Sequence, residues 1–167
     1  MKAFANPDRQ HGVTLVELVI TIIVIGIALV AIVTAMSGSI GRSSDVLLRN
    51  RTIQLAQAYL DEILGKRYDE ATPSGGVPPV TSCNIVSEEG SRDEYDDVDD
   101  YDGIVNEAPR SQTDADFNNY PGYLVSVSVT CAGADIGLSA SNAKLVRVTI
   151  TPPSGPAMTF SAYRANF

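Results

Sequence analysis

One apolar segment constrains this chain more than any other feature. Residues 13–36 contain fifteen Leu, Ile or Val residues and a single charged residue, Glu17. As a helix rising about 1.5 Å per residue, the segment is long enough to cross a hydrocarbon core of about 30 Å. The apolar residues favour insertion by roughly 5–9 kcal/mol, whereas one ionised residue costs at most about 3.5 kcal/mol. The sequence therefore predicts a membrane-spanning helix over residues 13–36.

Three hypotheses compete to explain this segment. A secretory signal peptide would use residues 1–12 as its polar region and end near residues 33–35, but its apolar part would be only about 7–15 residues long. A plain membrane anchor explains the length, but it explains neither Gly12 at the polar boundary nor Glu17 just inside the apolar run. Because a carboxylate within a membrane span usually marks a function, these two residues favour a third hypothesis.

The third hypothesis concerns the boundary itself. Residues 9–12 read RQHG, and residues 13–17 read VTLVE. This junction resembles the class III signal of type IV pilins and pseudopilins. The resemblance implies that residues 1–12 are a leader peptide, that a prepilin peptidase cuts between Gly12 and Val13, and that the new amine of Val13 is methylated. Most members of the family have phenylalanine at this first mature position, where the present chain has valine.

The same resemblance implies a role for Glu17 that agrees with elementary electrostatics. Cleavage before Val13 creates a positive amine at the membrane boundary. A carboxylate one helical turn later can meet such an amine on a neighbouring, axially offset subunit. In a low dielectric each charge alone is unfavourable, so pairing rewards ordered association. We therefore expect Glu17 to set the assembly register of a filament.

The pattern changes after residue 36. Gly38 and Gly41 each weaken a helix by roughly 1 kcal/mol, so we expect a bend or partial melting there and a renewed helix capped by Ser44 or Asp45. Residues 37–71 then form the amphipathic second half of the helical region. Its apolar stripe consists of Leu48, Ile53, Leu55, Ala56, Tyr59, Leu60, Ile63 and Leu64. Such a stripe at helical spacing predicts packing against a protein core.

The remaining residues, 72–167, are predicted to form a globular head. Residues 72–79, TPSGGVPP, indicate an irregular loop. Apolar and polar residues alternate over 123–131 and 145–151, and a third candidate strand covers 157–163. We expect a three-stranded antiparallel meander within residues 122–163, packed on the helix. The predicted fold class is α+β, and the pilin resemblance implies the same arrangement of one long amino-terminal helix on a small sheet.

The cysteine and histidine content limits the chemistry of the chain. If the head is exported, Cys83 and Cys131 are expected to form a disulfide that stabilises it by up to about 4 kcal/mol, the alternative being two buried thiols. The only histidine is His11, within the predicted leader. A processed product would therefore lack Ser-His, Cys-His and histidine-ligated metal chemistry. We expect a protein that is not an enzyme and has no organic cofactor.

Negative charge is concentrated in residues 88–116. This stretch has twelve acidic residues against Arg92 and Arg110, a net charge of −10, whereas the whole chain carries −8. We expect no nucleic-acid partner, because the sequence has no basic stripe to neutralise phosphates. An EF-hand alignment on Gly103 fails, since it places Val98 at the first ligand position. A looser calcium site remains a hypothesis, beside a solvated docking loop and a catalytic carboxylate pair. Its candidate ligands are Asp96, Asp97, Asp99, Asp100 and Asp102.

Three later stretches, residues 56–70, 96–103 and 148–167, are similar to minor pilins of the mannose-sensitive haemagglutinin (MSHA) pilus system. This resemblance implies a bacterial inner-membrane precursor with a periplasmic head that later joins a pilus at the cell surface. It also implies other major and minor pilins and an inner-membrane assembly platform as partners. Alternatives are a minor pseudopilin of type II secretion, a membrane-tethered calcium-binding adhesive module, and a tethered hydrolase, which the missing imidazole disfavours.

Overall fold

The structure is a computed structural model that describes residues 12–112, 117 and 119–167, without the side chains of residues 38–44. The rest of the predicted leader and residues 113–116 of the acidic stretch lie outside the described residues. The chain divides after Ser44 into two units, and each is described by itself.

The helix α1 covers Leu15–Leu64. The partial melting expected near Gly38 and Gly41 does not occur, and no new helix begins at Ser44 or Asp45, because residues 37–45 are helical. The two glycines weaken the helix by only about 1 kcal/mol each, whereas a long helix propagates cooperatively once it has formed.

The first unit contains a candidate membrane span, Leu15–Ser37. Its length and apolar composition suffice to cross a membrane, as predicted for residues 13–36. Every side chain from Leu15 to Ser37 is exposed in the single chain. Apolar side chains over more than twenty residues would be unfavourable in water, so this surface requires lipid or other protein chains as a cover.

The helix ends earlier than the predicted boundary at residue 71. The amide of Gly65 still donates to the carbonyl of Asp61, at 3.2 Å, but residues 65–71 form turns and an isolated bridge. The early end of the helix is explained by a tertiary contact. The side chain of Tyr68 is completely buried, and its hydroxyl donates to the carbonyl of Ser141 at 2.7 Å. That contact requires the chain to leave the helical path.

The second unit contains the predicted sheet. Strands β1 Leu124–Cys131, β2 Ala143–Thr151 and β3 Met158–Ala165 pair antiparallel in the order β1-β2-β3. The α+β prediction is confirmed, with strand ends within two residues of the expected positions. Gly155 in the connection between β2 and β3 has φ +94°, a conformation that favours glycine.

The core lies between one face of this sheet and the second half of α1. The predicted stripe supplies Leu55, Ala56, Tyr59 and Ile63, each at most 2 % exposed. The inward positions of the sheet supply Val125, Val127, Val129, Val146, Val148 and Ile150. The alternation of apolar and polar residues along the strands predicted this buried face, because the intervening serine, threonine and arginine positions face away from the helix.

The acidic stretch packs against the sheet instead of forming a solvated loop. Val98, Tyr101 and Ile104 are part of the hydrophobic core. The segment also covers the outer edge of β1: the amide of Val125 donates to the Glu107 carbonyl at 2.8 Å, and that of Val127 to the Ile104 carbonyl at 2.9 Å. The expectation of a solvated loop was wrong because apolar and aromatic residues are interspersed among the acids.

A disulfide joins Cys83 to Cys131, with the two Cα atoms 6.1 Å apart. It attaches the irregular segment before the acidic stretch to the end of β1. The pairing expected from the sequence is present in the structure, and no cysteine remains free.

Candidate functional site

The predicted processing junction lies just before the first turn of α1. Gly12 and Val13 are exposed and precede the helix, which begins at Leu15. The hydroxyl of Thr14 accepts a hydrogen bond from the amide of Glu17 at 3.2 Å. Thr14 thus caps the helix, and the Thr-x-x-Glu spacing is that of a capping box, a sequence signal that the analysis above missed.

Glu17 occupies the first turn of the helix and is exposed. The first turn favours negative charge because its free amides form the positive end of the helix dipole. Within the described part of the chain, the carboxylate of Glu17 has no basic partner within 4.0 Å. A single chain therefore presents a carboxylate within an uncovered apolar surface.

Comparison with known families gives a match to the segment that contains this junction. Residues 7–33 match the family model described as the prokaryotic N-terminal methylation motif. The chain carries a prepilin-type amino terminus. The prepilin motif supports the class of type IV pilins and pseudopilins, and it implies processing by a prepilin peptidase and assembly with other pilins. Together with the apolar helix it is consistent with a membrane-anchored precursor.

No curated protein and no solved structure shows significant similarity to the chain. The proteins that carry the prepilin motif are structural pilin subunits. The matched range includes Gly12, Val13 and Glu17, to which the sequence analysis gave roles in processing and assembly, and these roles remain predictions.

The structure gives the five aspartates of the predicted calcium site different partners. Asp96 forms an ion pair with Arg67, and Asp102 Oδ1 accepts the amide of Val129 in β1 at 2.8 Å. Asp99 pairs with Lys144.

The other two aspartates bind backbone amides. Asp97 Oδ1 accepts the amides of Asp99 and Asp100, and Asp100 Oδ2 accepts those of Asp96 and Asp97. The five carboxylates are therefore not directed toward one common point.

Lys144 is the centre of a buried polar cluster that the sequence analysis missed. Its side chain is fully buried, and Nζ lies 2.7 Å from Asp99 Oδ2, 3.5 Å from Asp69 Oδ2 and 2.6 Å from the carbonyl oxygen of Tyr68. The ammonium also lies 4.2 Å from the centre of the Tyr68 ring. Alternation along β2 contained the signal, because Lys144 has the same parity as the inward-facing Val146.

Burial changes the protonation chemistry of this cluster. It raises the pKa of Asp97 to about 6 and that of Asp99 to about 7, and the ammonium of Lys144 opposes both shifts. Burial, aided by the carboxylates of Asp99 and Asp69, raises the pKa of Tyr68 to about 12. The cause is the same in each case, since a low dielectric disfavours the charged form of an acid.

Arg92 forms a second buried centre. Its guanidinium carbon lies 4.4 Å from the ring centre of Tyr101 and 5.3 Å from those of Tyr59 and Tyr95. Nη2 donates to Glu62 Oε1 at 3.2 Å, and the hydroxyl of Tyr101 donates to the same oxygen at 2.8 Å. Burial and the neighbouring Glu62 carboxylate raise the pKa of Tyr101 well above its usual range. Arg92 thus attaches the acidic segment to α1.

Two groups of three carboxylates in the described part of the chain could hold a metal ion. They are Glu70, Asp96 and Asp97, and Glu88, Glu89 and Asp100. Each group combines predicted aspartates with glutamates that the sequence analysis did not select.

Proposed function

We propose that this chain is a minor type IV pilin similar to MshD of the MSHA pilus biogenesis system. In this proposal a prepilin peptidase removes residues 1–12, and the mature subunit joins or primes a pilus that serves surface attachment. The observation that carries the proposal is the position of Glu17, an exposed carboxylate without a basic partner among the described residues, within the matched motif and one turn after the proposed cleavage position.

The assembly step follows from charge and burial. Cleavage exposes the amine of Val13 four residues before Glu17, close to the start of the helix. In a low dielectric an unpaired carboxylate and an unpaired amine are both unfavourable. If the amine of one subunit meets Glu17 of its neighbour, both charges are compensated while the apolar helices cover each other. This pairing favours one axial offset between subunits.

The second unit has properties suited to the outer part of such a subunit. Asp45–Phe167 is compact, and its disulfide suits an oxidising compartment. In the proposal the precursor is a single-pass protein of the bacterial inner membrane with this unit in the periplasm. After assembly it lies on the pilus at the cell surface, with other major and minor pilins and the inner-membrane assembly platform as partners.

A minor pseudopilin of type II secretion is the second candidate, because the motif over residues 7–33 supports both classes. Deletion of the gene distinguishes them. Loss of surface pili and of attachment with normal protein secretion supports the pilin, whereas loss of secretion with normal pili supports the pseudopilin.

Two substitutions in the native host test the proposed role. Gly12→Val should leave the precursor uncut, so mass spectrometry should find the leader retained. Glu17→Ala should be inserted and cleaved normally but should enter pili poorly, as measured by immunoblotting of sheared filaments. Thr21→Ala, one turn later on the same exposed helix, is the matched control and should enter pili normally.

For each of the two substitutions, one result would contradict the proposal. A normal mature amino terminus in Gly12→Val would refute the assigned cleavage position. Undiminished incorporation of Glu17→Ala would refute the register role, while leaving the leader assignment intact.

A further inference from the structure

The two carboxylate groups of the head differ in how their charge is balanced. In each group, one carboxylate oxygen from each residue lies within 4.8 Å of the other two. In the first group, Arg67 supplies a cation: Nη2 lies 3.0 Å from Glu70 Oε2 and also contacts Asp96 Oδ2. The first group therefore contains its own counter-ion.

The second group has no such counter-ion. Among the residues that the structure describes, no Lys or Arg nitrogen lies within 4.0 Å of the carboxylates of Glu88, Glu89 or Asp100. Arg92, the nearby arginine of the acidic segment, pairs with Glu62 instead. Three carboxylates are thus held close together without a compensating cation from the described part of the chain.

Asp100 supplies an independent indication of a missing partner. It is only 1 % exposed, and its Oδ2 atom accepts the amides of Asp96 and Asp97 at 3.0 and 3.1 Å. Its Oδ1 atom is buried and accepts no hydrogen bond from any residue that the structure describes. A buried carboxylate oxygen without a partner is unfavourable, and such atoms in folded proteins commonly bind water or an ion. The carboxylate to which this atom belongs is the one grouped with Glu88 and Glu89.

We propose that Glu88, Glu89 and Asp100 bind one calcium ion. All three ligands are carboxylates, and oxygen ligands suit a hard cation such as Ca²⁺, which accepts six to eight oxygens in an irregular arrangement, whereas Mg²⁺ requires near-ideal octahedral geometry. Glu88 is exposed and Glu89 is half-buried, so water can complete the coordination. The site shares only Asp100 with the five-aspartate set expected from the sequence, and it does not depend on the proposed pilus role.

The test uses the full chain, purified in detergent and treated with a chelator. Isothermal titration with CaCl₂ should show one site, with a Kd of about 10⁻⁴ to 10⁻³ M, the range of extracellular calcium modules. Saturating calcium should raise the unfolding temperature, because it binds the folded state. The double variant Glu88→Gln/Glu89→Gln should bind at least tenfold more weakly. Glu70→Gln, in the group balanced by Arg67, is the matched control and should bind calcium normally.

Four results would overturn the proposal. They are the absence of both binding heat and thermal shift up to ~10 mM calcium, undiminished binding by the double variant, loss of binding in Glu70→Gln, and equal affinity for MgCl₂. Both glutamates lie outside the core, so the double variant is expected to fold, and its circular dichroism spectrum checks this. Asp100→Asn is unsuitable as the main test because Asp100 also accepts two backbone amides.

Discussion

The Nζ atom of Lys144 donates a hydrogen bond to Oδ2 of Asp99 over 2.7 Å, and both side chains are buried. This ion pair joins β2 to the most acidic segment of the chain. The same ammonium donates to the carbonyl of Tyr68, just beyond the end of α1. One side chain therefore links the helix, the acidic segment and the sheet.

Replacement of this lysine should destabilise the head strongly. Lys144→Met keeps the approximate length of the side chain but leaves Asp99 buried without its cation. Removing one partner of a buried ion pair typically lowers the free energy of unfolding by about 3–5 kcal/mol. Guanidinium unfolding of the full chain in detergent, followed by tyrosine fluorescence, measures the change.

Arg147→Met is the control for this variant, because Arg147 lies on the same strand but on the exposed face. It should change the free energy of unfolding by less than about 0.5 kcal/mol. The structural role assigned to Lys144 fails if the two variants have equal stability.

Arg92→Lys should also lower stability, although the positive charge is retained. The planar guanidinium of Arg92 lies among three tyrosine rings and donates to Glu62, and an ammonium group cannot reproduce both sets of contacts. The expected loss is about 1–3 kcal/mol. Arg110→Lys is the control, since its side chain is half exposed and its ion pair with Glu107 is long, at 3.6 Å. If both variants unfold at the same denaturant concentration, the buried contacts of the Arg92 guanidinium do not contribute to stability as predicted.

Removal of the disulfide should weaken the attachment of the segment before the acidic stretch. The Cys83→Ser/Cys131→Ser double variant is expected to lose about 2–5 kcal/mol of unfolding free energy. Thermal unfolding of the two proteins, each with and without a reductant, measures the effect. Reductant should lower the unfolding temperature of the parent protein and leave that of the variant unchanged. A parent protein whose unfolding temperature does not change with reductant would contradict this prediction.

Alkaline pH should destabilise the head through its buried tyrosines. An unfolded tyrosine ionises near pH 10. In the folded protein, burial raises the pKa of Tyr68 to about 12 and also raises those of Tyr59 and Tyr101. Between pH 10 and 12 the unfolded state therefore releases protons that the folded state retains, and stability falls as pH rises through this window. Below pH 10 this contribution to stability is fully present.

The ultraviolet absorbance of tyrosinate follows this titration. A fraction of the tyrosines should ionise only as the head unfolds, and Tyr68→Phe should make that fraction smaller. Tyr163→Phe removes an exposed phenol and should leave the delayed fraction unchanged. Reversible ionisation of every tyrosine near pH 10 in a folded head would contradict the assignment.

The strands and the buried stripe of α1 could be predicted because their signals are local. Val125, Val127 and Val129 alternate with polar residues, and Leu55, Tyr59 and Ile63 recur at helical spacing. The end of α1 could not be predicted in this way. It depends on the burial of Tyr68 against residues that are distant in sequence.

The candidate site in the acidic segment also could not be predicted in full from the sequence. Composition identified a high density of carboxylates, but it could not distinguish Asp99, which binds Lys144, from Asp100, which has an oxygen without a partner. Glu88 and Glu89 were not selected because their proximity to Asp100 arises from chain folding across about ten residues.

The sequence by itself determined the prepilin-type amino terminus, the apolar span, the α+β class and the cysteine pair as a candidate disulfide. These properties depend on residue type and on short, regular spacing, so they can be recognised without coordinates. Only the tertiary structure decided that the acidic stretch covers the edge of β1, that Lys144 and Arg92 attach it to the core, and which of the described carboxylates lack a counter-ion. The energy of a charge depends on its neighbours and on its exposure to water, and folding brings those neighbours from distant parts of the chain.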